Sequence, residues 1–559
     1  MSILQNRHAG TSPAMQTASI EGECWSASVT VGSAISQPVS APHGHSDGRA
    51  VGLPVGSLPA ASVRPMSRFP VNLLRPVRPA AFALLAVALA GCTLAPEYHR
   101  PDAPVATQWP SPAVETGAAA ADLPWQQLFA DPKLRQLVQL ALDNNRDLRI
   151  AALNVEKAQA QYRIQRSELI PQIAISGSLS GARTPASVSY TGIGGVSHAY
   201  SLDVGISSYE LDLFGRLRSL KDEALQSYLS TAETRRATHI SLIAEVGSSY
   251  LSLAADQDLQ RLAKETLQSR QQDYDLQRER AEVGNSSELE LRQAETQLEN
   301  ARATALSADQ QVATDRNALE LLIGVPLPPA LLPAEGALAG MLGVQELPAG
   351  LPSDLLRNRP DILSAEHTLI GANADIGAAR AAFFPTISLT TTTGRASSEL
   401  SNLFANGGRS WTFVPQISLP IFSGGRLRAK LAVSKVERDI AVAQYEQSIQ
   451  TAFREVADAL AQRAVVDQQL EAQRRSAEAA KASYDLVQLR YDNGVASYLD
   501  VLDAQRTLYS AQQSLIQTEL ARQNSLVTLY KTLGGGWSEP EGSDHAANGA
   551  AAGSAGHAS

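Results

Sequence analysis

Aromatic residues are scarce in this chain of 559 residues, at 5%, which is little for the compact core of an enzyme. Common catalytic signatures are missing too: no P-loop, His-Glu-x-x-His or dinucleotide fingerprint occurs. Nine histidines are present, but they do not gather into a metal cluster. His99, His198, His239 and His367 are scattered, His8, His43 and His45 lie near the start, and His545 and His557 lie near the end. Neither an enzyme nor a cofactor or metal is therefore expected. A formal net charge of −9 argues against a nucleic-acid partner. Beyond Cys92 no apolar run approaches the ~18 residues of a membrane-spanning helix. If this part of the chain crosses a membrane, it must do so with strands. Only two cysteines occur, Cys24 and Cys92.

Ala, Gln, Leu, Arg and Glu dominate long stretches, the composition of long helices packed side by side. Residues 66–92 read MSRFPVNLLRPVRPAAFALLAVALAGC. Arg68, Arg75 and Arg78 precede the run AFALLAVALA, as in a secretory signal with a short apolar region. It ends in Leu89-Ala90-Gly91-Cys92, which resembles a bacterial lipoprotein box. That implies cleavage before Cys92 and lipidation of this residue. Residues 1–65, rich in Ser, Ala, Gly and Pro without periodicity, are expected to be a mis-annotated or disordered extension upstream of a true start at Met66. A mature chain beginning at Cys92 keeps a single cysteine and no disulfide.

The rest of the sequence is written twice. DLRIAALNVEKAQAQYRIQRSELIPQIAIS, from Asp147, parallels DILSAEHTLIGANADIGAARAAFFPTISLT, from Asp361. Both read as a helix stopped at a proline, Pro171 or Pro385, and continued by alternating β-type sequence. Gly215, Gly284 and Gly324 recur at one offset as Gly425, Gly494 and Gly534. Each half predicts helix, strand, loop, strand, long helix, turn, helix. From Arg216 to about Val283 there is no proline, and only Gly247 interrupts. A helix of that length spans roughly 100 Å. On the return helix Leu291, Ala294, Leu298, Ala301, Ala305, Ala308, Val312, Leu319 and Leu322 form a coiled-coil seam that Asp315 breaks.

Four segments, 172–181, 200–213, 386–395 and 411–419, alternate apolar with small or polar residues. Three of them match the 9–11 residues that cross a bilayer when tilted, and 200–213 is somewhat longer. One face of each is apolar: Ile173 and Ile175; Leu202, Val204 and Ile206; Ile387 and Leu389; Phe413, Ile417 and Leu419. Tyr200, Tyr209, Phe214, Phe383, Phe384, Trp411 and Phe422 gather near the strand ends, where interfacial girdles form. Segments 182–199 and 396–410 read as exposed loops. Four strands cannot close a barrel, and open edges cannot face lipid, so several copies must share one. Two copies fill the interior with side chains, whereas three leave room for a lumen.

Residues 490–515 read RYDNGVASYLDVLDAQRTLYSAQQSL. Asp500 and Asp503, three apart, fall side by side on one helix face. Ser497 and Asp500 fit a capping pattern, and acids in a first turn complement the helix dipole.

Taken together the chain resembles the outer membrane factor family, the TolC/OprM-like efflux channels, and within it the NodT-type lipoproteins. The resemblance covers about 92–536. It is carried by the box at Cys92, YELDLFGRLR (209–218), RPDILSAEHTL (359–369), AARAAFFPTISL (378–389), PIFSGGRLRAKL (420–431), RYDNGVASYLDVLDAQRTL and LYKTLGGGW (529–537). It implies a mainly α fold with a membrane β part. Long antiparallel coiled-coil helices form a periplasmic α-barrel, and four strands per chain join a twelve-stranded outer-membrane β-barrel shared by a homotrimer. The efflux repeats fall at 131–324 and 354–536, belt segments at 92–130 and 325–353, and a disordered tail at 537–559. The function implied is a passive exit duct for small molecules. Its partners are a periplasmic membrane-fusion adaptor, an inner-membrane RND transporter and outer-membrane lipid. Asp500 and Asp503, with Glu290 in the first repeat, match the acids of a periplasmic gate. Tyr491 matches a position that links neighbouring coiled coils, and Arg490 stands in for an arginine that TolC has where this chain has Ala496. Two other readings stay open: a channel for type I protein secretion, and a lipid-anchored periplasmic scaffold without a channel.

Overall fold

The structure, a computed structural model, describes residues 93–106, 108–110, 123–190, 192–344, 346–350, 352–405 and 408–536. Every described residue belongs to one compact unit, within Arg78–Ser559. The extension 1–65, the signal segment 66–91, Cys92 and the tail 537–559 lie outside the described residues.

Short helices α1 (Trp125–Leu128) and α2 (Pro132–Asn144) precede α3 (Arg146–Ser167), which leads into strands β1 (Ile173–Thr184) and β2 (Gly195–Glu210). The chain then runs out along α4 (Arg216–Glu282) and back along α5 (Glu288–Ile323). After an irregular stretch, α6 (Leu355–Asn358), α7 (Pro360–Ala381), β3 (Thr386–Ser397), β4 (Arg409–Ser418), α8 (Arg426–Asp492) and α9 (Tyr498–Thr532) follow. Both α4 and α8 have 67 residues, about 100 Å each. Asp212 starts α4: its carboxylate accepts the amides of Leu217 and Arg218 at 3.2 and 3.0 Å. Gly215 before it is left-handed, with φ 75°, a backbone that glycine adopts without steric cost. No described helix is long and apolar enough to cross a membrane.

The strands form one antiparallel sheet in the order β1-β2-β3-β4. Its register puts Ile173, Ile175 and Leu179 opposite Ile206, Val204 and Tyr200, and Ile387 opposite Ile417. One face is therefore apolar. The other carries Ser176, Ser178, Ser201, Asp203, Thr392, Thr412 and Gln416. Ser178 and Ser201 hydrogen bond at 2.8 Å, as do Thr392 and Thr412 at 2.7 Å. Both hairpins extend beyond the segments that alternation marks out. Pairing continues to Thr184↔Gly195 and Arg395↔Arg409, so the expected loops 182–199 and 396–410 shrink to 185–194 and 398–408. Ladder bonds need no side-chain pattern, so pairing runs on past the last apolar residue. At the opposite end β2 stops at Glu210, because Asp212 is committed to α4, and Leu419 falls just outside β4. Between β2 and β3 the backbones nearly touch: a Cβ at Gly205 would lie 2.1 Å from the Thr391 carbonyl oxygen, and one at Gly394 2.2 Å from that of Leu202.

The hydrophobic core lies midway along the long helices. There α1, α2 and the segment 325–358 pack across α4, α5, α8 and α9, burying Leu128, Phe129, Leu137, Leu253, Leu319, Met341, Tyr445 and Tyr530. Backbone bonds tie the wrapping segments together, with the Ala130 amide donating to Met341 at 2.9 Å and the Gly343 amide to Leu128 at 2.8 Å. Gly247, the one glycine inside α4, has a purpose here. A Cβ at this position would stand 2.8 Å from the ring of Phe129, so its absence lets the ring lie on the helix.

Along α5, Ala294, Leu298, Ala301, Ala305, Val312 and Leu319 are buried as the seam requires, while Leu291, Ala308 and Leu322 are only half-buried and the row ends on Ile323. Asp315 faces Asp256 of α4 within hydrogen-bonding reach, and burial, that bond and its neighbour's charge push the Asp256 carboxyl from 3.8 up to about 7. A buried oxygen of Asp315, Oδ2, has no donor unless one carboxyl of the pair keeps a proton.

Two outcomes follow from this packing. Gly247→Val should displace Phe129 from its site and cost on the order of 3 kcal/mol, read as a lower melting temperature with Gly247→Ala falling in between. For the acid pair, the folded-state value lies above the ordinary one, so folding takes up a proton and its contribution is lost as pH rises from 3.8 to about 7. Thermal unfolding of Asp256→Asn should therefore show a higher melting point than wild type at pH 8 and a flatter pH dependence.

Candidate functional site

At the end of the helices farthest from the sheet, the chain makes two matching turns. In the first the Asn285 amide donates to the Arg280 carbonyl at 2.7 Å, and in the second the Val495 amide donates to the Arg490 carbonyl at 2.8 Å. Gly284 and Gly494 supply the left-handed residue in each, with φ 78° and 71°. The following helices begin with capping boxes. Ser287 and Glu290 cap α5, and Ser497 and Asp500 cap α9, each hydroxyl accepting the third residue's amide while that residue's carboxylate accepts the serine amide.

This geometry corrects the picture of two like charges side by side. The Asp500 carboxylate turns back onto Ser497, 2.8 Å from the hydroxyl and 2.9 Å from the amide. These bonds hold its pKa below the ordinary value, with Arg490 nearby adding to the effect. Glu290 is held low in the same way, first by the Ser287 amide and then by the Ser286 hydroxyl. Asp503 goes elsewhere, to Arg506 one turn on, at 2.5 Å. Each acid thus has its own partner.

Tyr491 does link the two hairpins. Its hydroxyl accepts from Gln277 Nε2 at 2.9 Å and from Arg280 Nη1 at 3.0 Å, both on α4. The guanidinium also sits over the ring, 5.5 Å from its centre, close enough for cation–π attraction. Ser286 extends the network by donating to Gln277 Oε1 at 3.0 Å and to Glu290 at 2.8 Å. Beneath it, Tyr498 packs 5.8 Å from Tyr491, and Gln505 Nε2 donates to Asp273 at 3.0 Å. The arginine that reaches Tyr491 is Arg280, not Arg490, which stays exposed beside Asp500. Gln277, Arg280 and Ser286 were not apparent as site residues from the sequence. One signal was present: Arg280 precedes Arg490 by the same offset that relates Gly284 to Gly494.

At the sheet end the seven aromatics occupy two levels. Tyr209, Phe214, Phe383, Phe384 and Phe422 stand where strands meet helices. Phe214 and Phe384 stack at 4.7 Å, and the Tyr209 hydroxyl donates to the Leu169 carbonyl at 3.0 Å. Tyr200 and Trp411 stand toward the loops, opposite Ser397 and Thr393. From Leu389, the partner of Tyr209, to Ser397, the partner of Tyr200, is about 27 Å along the strand, or roughly 20 Å of height at a barrel's usual tilt.

A second unanticipated feature is a strap formed by residues 93–100 along α7. Arg100 forks onto Glu366 at 2.7 and 2.5 Å, and the Tyr98 hydroxyl donates to the same carboxylate at 3.1 Å. Seven residues further along α7, Asn373 Nδ2 donates to the Pro96 carbonyl at 2.7 Å. Seven further again, Arg380 Nη1 donates to the Leu94 carbonyl at 3.0 Å. Gly377 leaves room for the strap, since a Cβ there would lie 2.8 Å from the Ala95 amide nitrogen. The strap runs antiparallel to α7, so Thr93, next to Cys92, lies at the sheet end, where its hydroxyl meets that of Ser219 at 3.3 Å. Among the described residues no group of three or more His, Cys, Asp or Glu is placed to hold a metal ion.

Known proteins share this fold. The family of outer membrane efflux proteins matches over residues 137–325 and 351–535. The toluene efflux pump outer membrane protein TtgC of Pseudomonas putida is 50% identical over 465 residues, covering 82% of this chain and 96% of that one. A crystal structure of a membrane protein from Pseudomonas aeruginosa aligns with TM-score 0.76 at 43% identity, over 80% of this chain and 98% of its own. The open state of the Neisseria gonorrhoeae MtrE outer membrane channel aligns with TM-score 0.73 at 41% identity, again over 80% and 98%. A mainly helical chain with one four-stranded antiparallel sheet is the architecture of these outer-membrane channels, and the resemblance read from the sequence is borne out: the chain belongs to the outer membrane efflux protein family.

Proposed function

We propose that three copies of this outer-membrane efflux protein close their sheets into one twelve-stranded barrel, continuous with a tunnel of long helices, and that the assembly is the passive exit duct of a tripartite efflux system. The sheet carries this reading. In one chain β1 and β4 are edges, yet the face between them is apolar and exposed, with Ile173, Ile175, Trp411 and Ile417 each about 70% exposed or more. Backbone groups left unpaired in hydrocarbon cost several kcal/mol each. Joining β4 of one copy to β1 of the next removes every edge, and three copies are the fewest that leave a lumen. The halves 131–324 and 354–536 contribute similar sectors, in line with an internal duplication: α3 and α7 have 22 residues each, α4 and α8 67 each, and α5 and α9 36 and 35. Of the segments 92–130 and 325–353, the described parts from 123 to 130 and from 325 to 353 would form the belt around the tunnel, with 93–100 as the strap along α7.

A duct without chemistry of its own depends on partners for energy. An inner-membrane RND transporter, joined through a periplasmic adaptor, fits the company kept by relatives named as pump components. TtgC is named for toluene, and small organic molecules are the cargo class proposed here. Cys92 would carry lipid, and the strap along α7 would deliver that lipid to the level of the helix-side aromatics. The narrow end lies at the tip, where three-fold symmetry would ring Asp500, Asp503 and Glu290 around the axis. Tyr491 would hold each chain's two hairpins together in the closed state.

Conductance across planar bilayers tests the duct. Wild-type trimers should conduct weakly. Asp500→Ala with Asp503→Ala, and separately Tyr491→Phe, should conduct severalfold more with trimer mass unchanged. Variants that match wild type would sink the gate, and silence from all three proteins would sink the duct. For the anchor, intact-mass spectrometry of Cys92→Ser should show loss of the acyl mass while trimers still assemble, because the barrel supplies its own membrane affinity. An unmodified cysteine in the wild type would remove the lipid from this account.

A further inference from the structure

Above the tip, α4, α5 and α9 enclose a cleft of about 160 Å³ that the gate and the barrel do not use. Two guanidinium groups, Arg270 and Arg506, line it together with Gln297, Asn300, Thr304 and Tyr509, and no acidic side chain does. Arg270 is 7% exposed, and its Nη1 has no hydrogen-bond partner. The acid beside it, Asp273, stands 3.6 Å from Nη1, beyond a hydrogen bond, and is already bonded to Gln505. Burial pushes the Arg270 guanidinium below its usual range despite that acid, as expected of a cation with too little compensation around it. Arg506 is the opposite case. Its side chain is 81% exposed and bonded to Asp503 at 2.5 Å, and closing over the cleft mouth would exchange that bond for one to an occupant.

We infer that this cleft binds a small tetrahedral oxyanion of the phosphate or sulfate kind. Arg270 would supply the buried charge, the amide of Asn300 and the hydroxyl of Thr304 further donors, and Arg506 the closing contact. The space suits such a guest, since one water's share of liquid is about 30 Å³ and an oxyanion with a few waters fills the remainder. Guanidinium groups favour oxyanions because their planar donors match two oxygens at once. The walls come from both hairpins, α4 and α5 on one side and α9 on the other, so an occupant would fasten them together. None of this depends on trimeric closure or on transport.

Selenate and inorganic phosphate are the probes. Crystals of the full chain soaked in sodium selenate should show anomalous selenium density about 4 Å from Arg270 Nη1, which places a selenate oxygen within hydrogen-bond reach of that nitrogen. In detergent, phosphate should raise the melting temperature over chloride at equal ionic strength, in a saturable way. Arg270→Gln should abolish both effects. Because that variant alters a buried group, Asn300→Leu serves beside it: the residue is exposed, the larger side chain fills the cleft, and half-saturation should move at least tenfold while the melting point in chloride stays put. An empty cleft in the selenate crystals with equal melting points in phosphate and chloride overturns the inference. So does a phosphate effect that persists undiminished in both variants.

Discussion

A β-edge carries a row of backbone donors and acceptors, and hydrocarbon offers them nothing. That constraint organises this protein more than any side chain does. Within one chain the sheet satisfies its inner strands and leaves β1 and β4 open, while an exposed apolar face makes water an equally poor home for it. In the proposed trimer the hairpins find neighbours of their own kind. Everything else can be seen as support for holding four short strands in the right place: paired helices long enough to extend far from the sheet, and a wrapped core halfway along them to fix their spacing.

The core and the tip are built from different interactions. At the belt, stability comes from burial. Phe129 lies against Gly247, and the left-handed caps Gly324 and Gly534 press against the carbonyls of Asn144 and Asn358, where a Cβ would stand only 2.6 and 2.8 Å away. Such contacts admit no side chain larger than hydrogen. At the tip Tyr498 and Val501 are buried, but most side chains that meet are polar or charged, and Val283, Leu289, Val495 and Leu499 point to solvent. Holding the hairpins together there falls to hydrogen bonds such as those of Tyr491 and Gln505.

What could be read from sequence, and what could not, divides along the same line. Helix length followed from proline-free runs between glycines, and Arg216–Glu282 ends within a residue of where that reasoning stops it. The apolar face of each strand followed from its period of two. Strand ends did not, because the Ser, Gly and Thr of the loops serve equally well in a ladder and pairing depends on the opposite strand. At the tip, the capping boxes and the Asp503–Arg506 pair are local and visible as spacings. Tyr491 meets Gln277 and Arg280 across 214 and 211 residues, and nothing short of the relative register of two hairpins could reveal those partners. Glu366 stood in a quoted motif, yet its ligands Tyr98 and Arg100 come from a stretch without period, more than 260 residues away.

The unequal strength of these two regions bears on how a duct of this kind could open. Each net hydrogen bond is worth about 0.5–1.5 kcal/mol, so the two at Tyr491 amount to roughly 1–3 kcal/mol per chain. That is the range of a typical coupling free energy between a binding event and a conformational change. Prising Phe129 or Tyr530 from the belt would cost more, about 3–5 kcal/mol for each ring taken. In the proposed duct, a partner pressing on the tip ends of the helices would therefore separate the hairpins there before it disturbs the belt. Helices about 100 Å long turn a small rotation at the belt into a large displacement at their ends. On the proposed gating, the belt would act as the fulcrum, and the polar links at the tip would be the contacts that movement has to break.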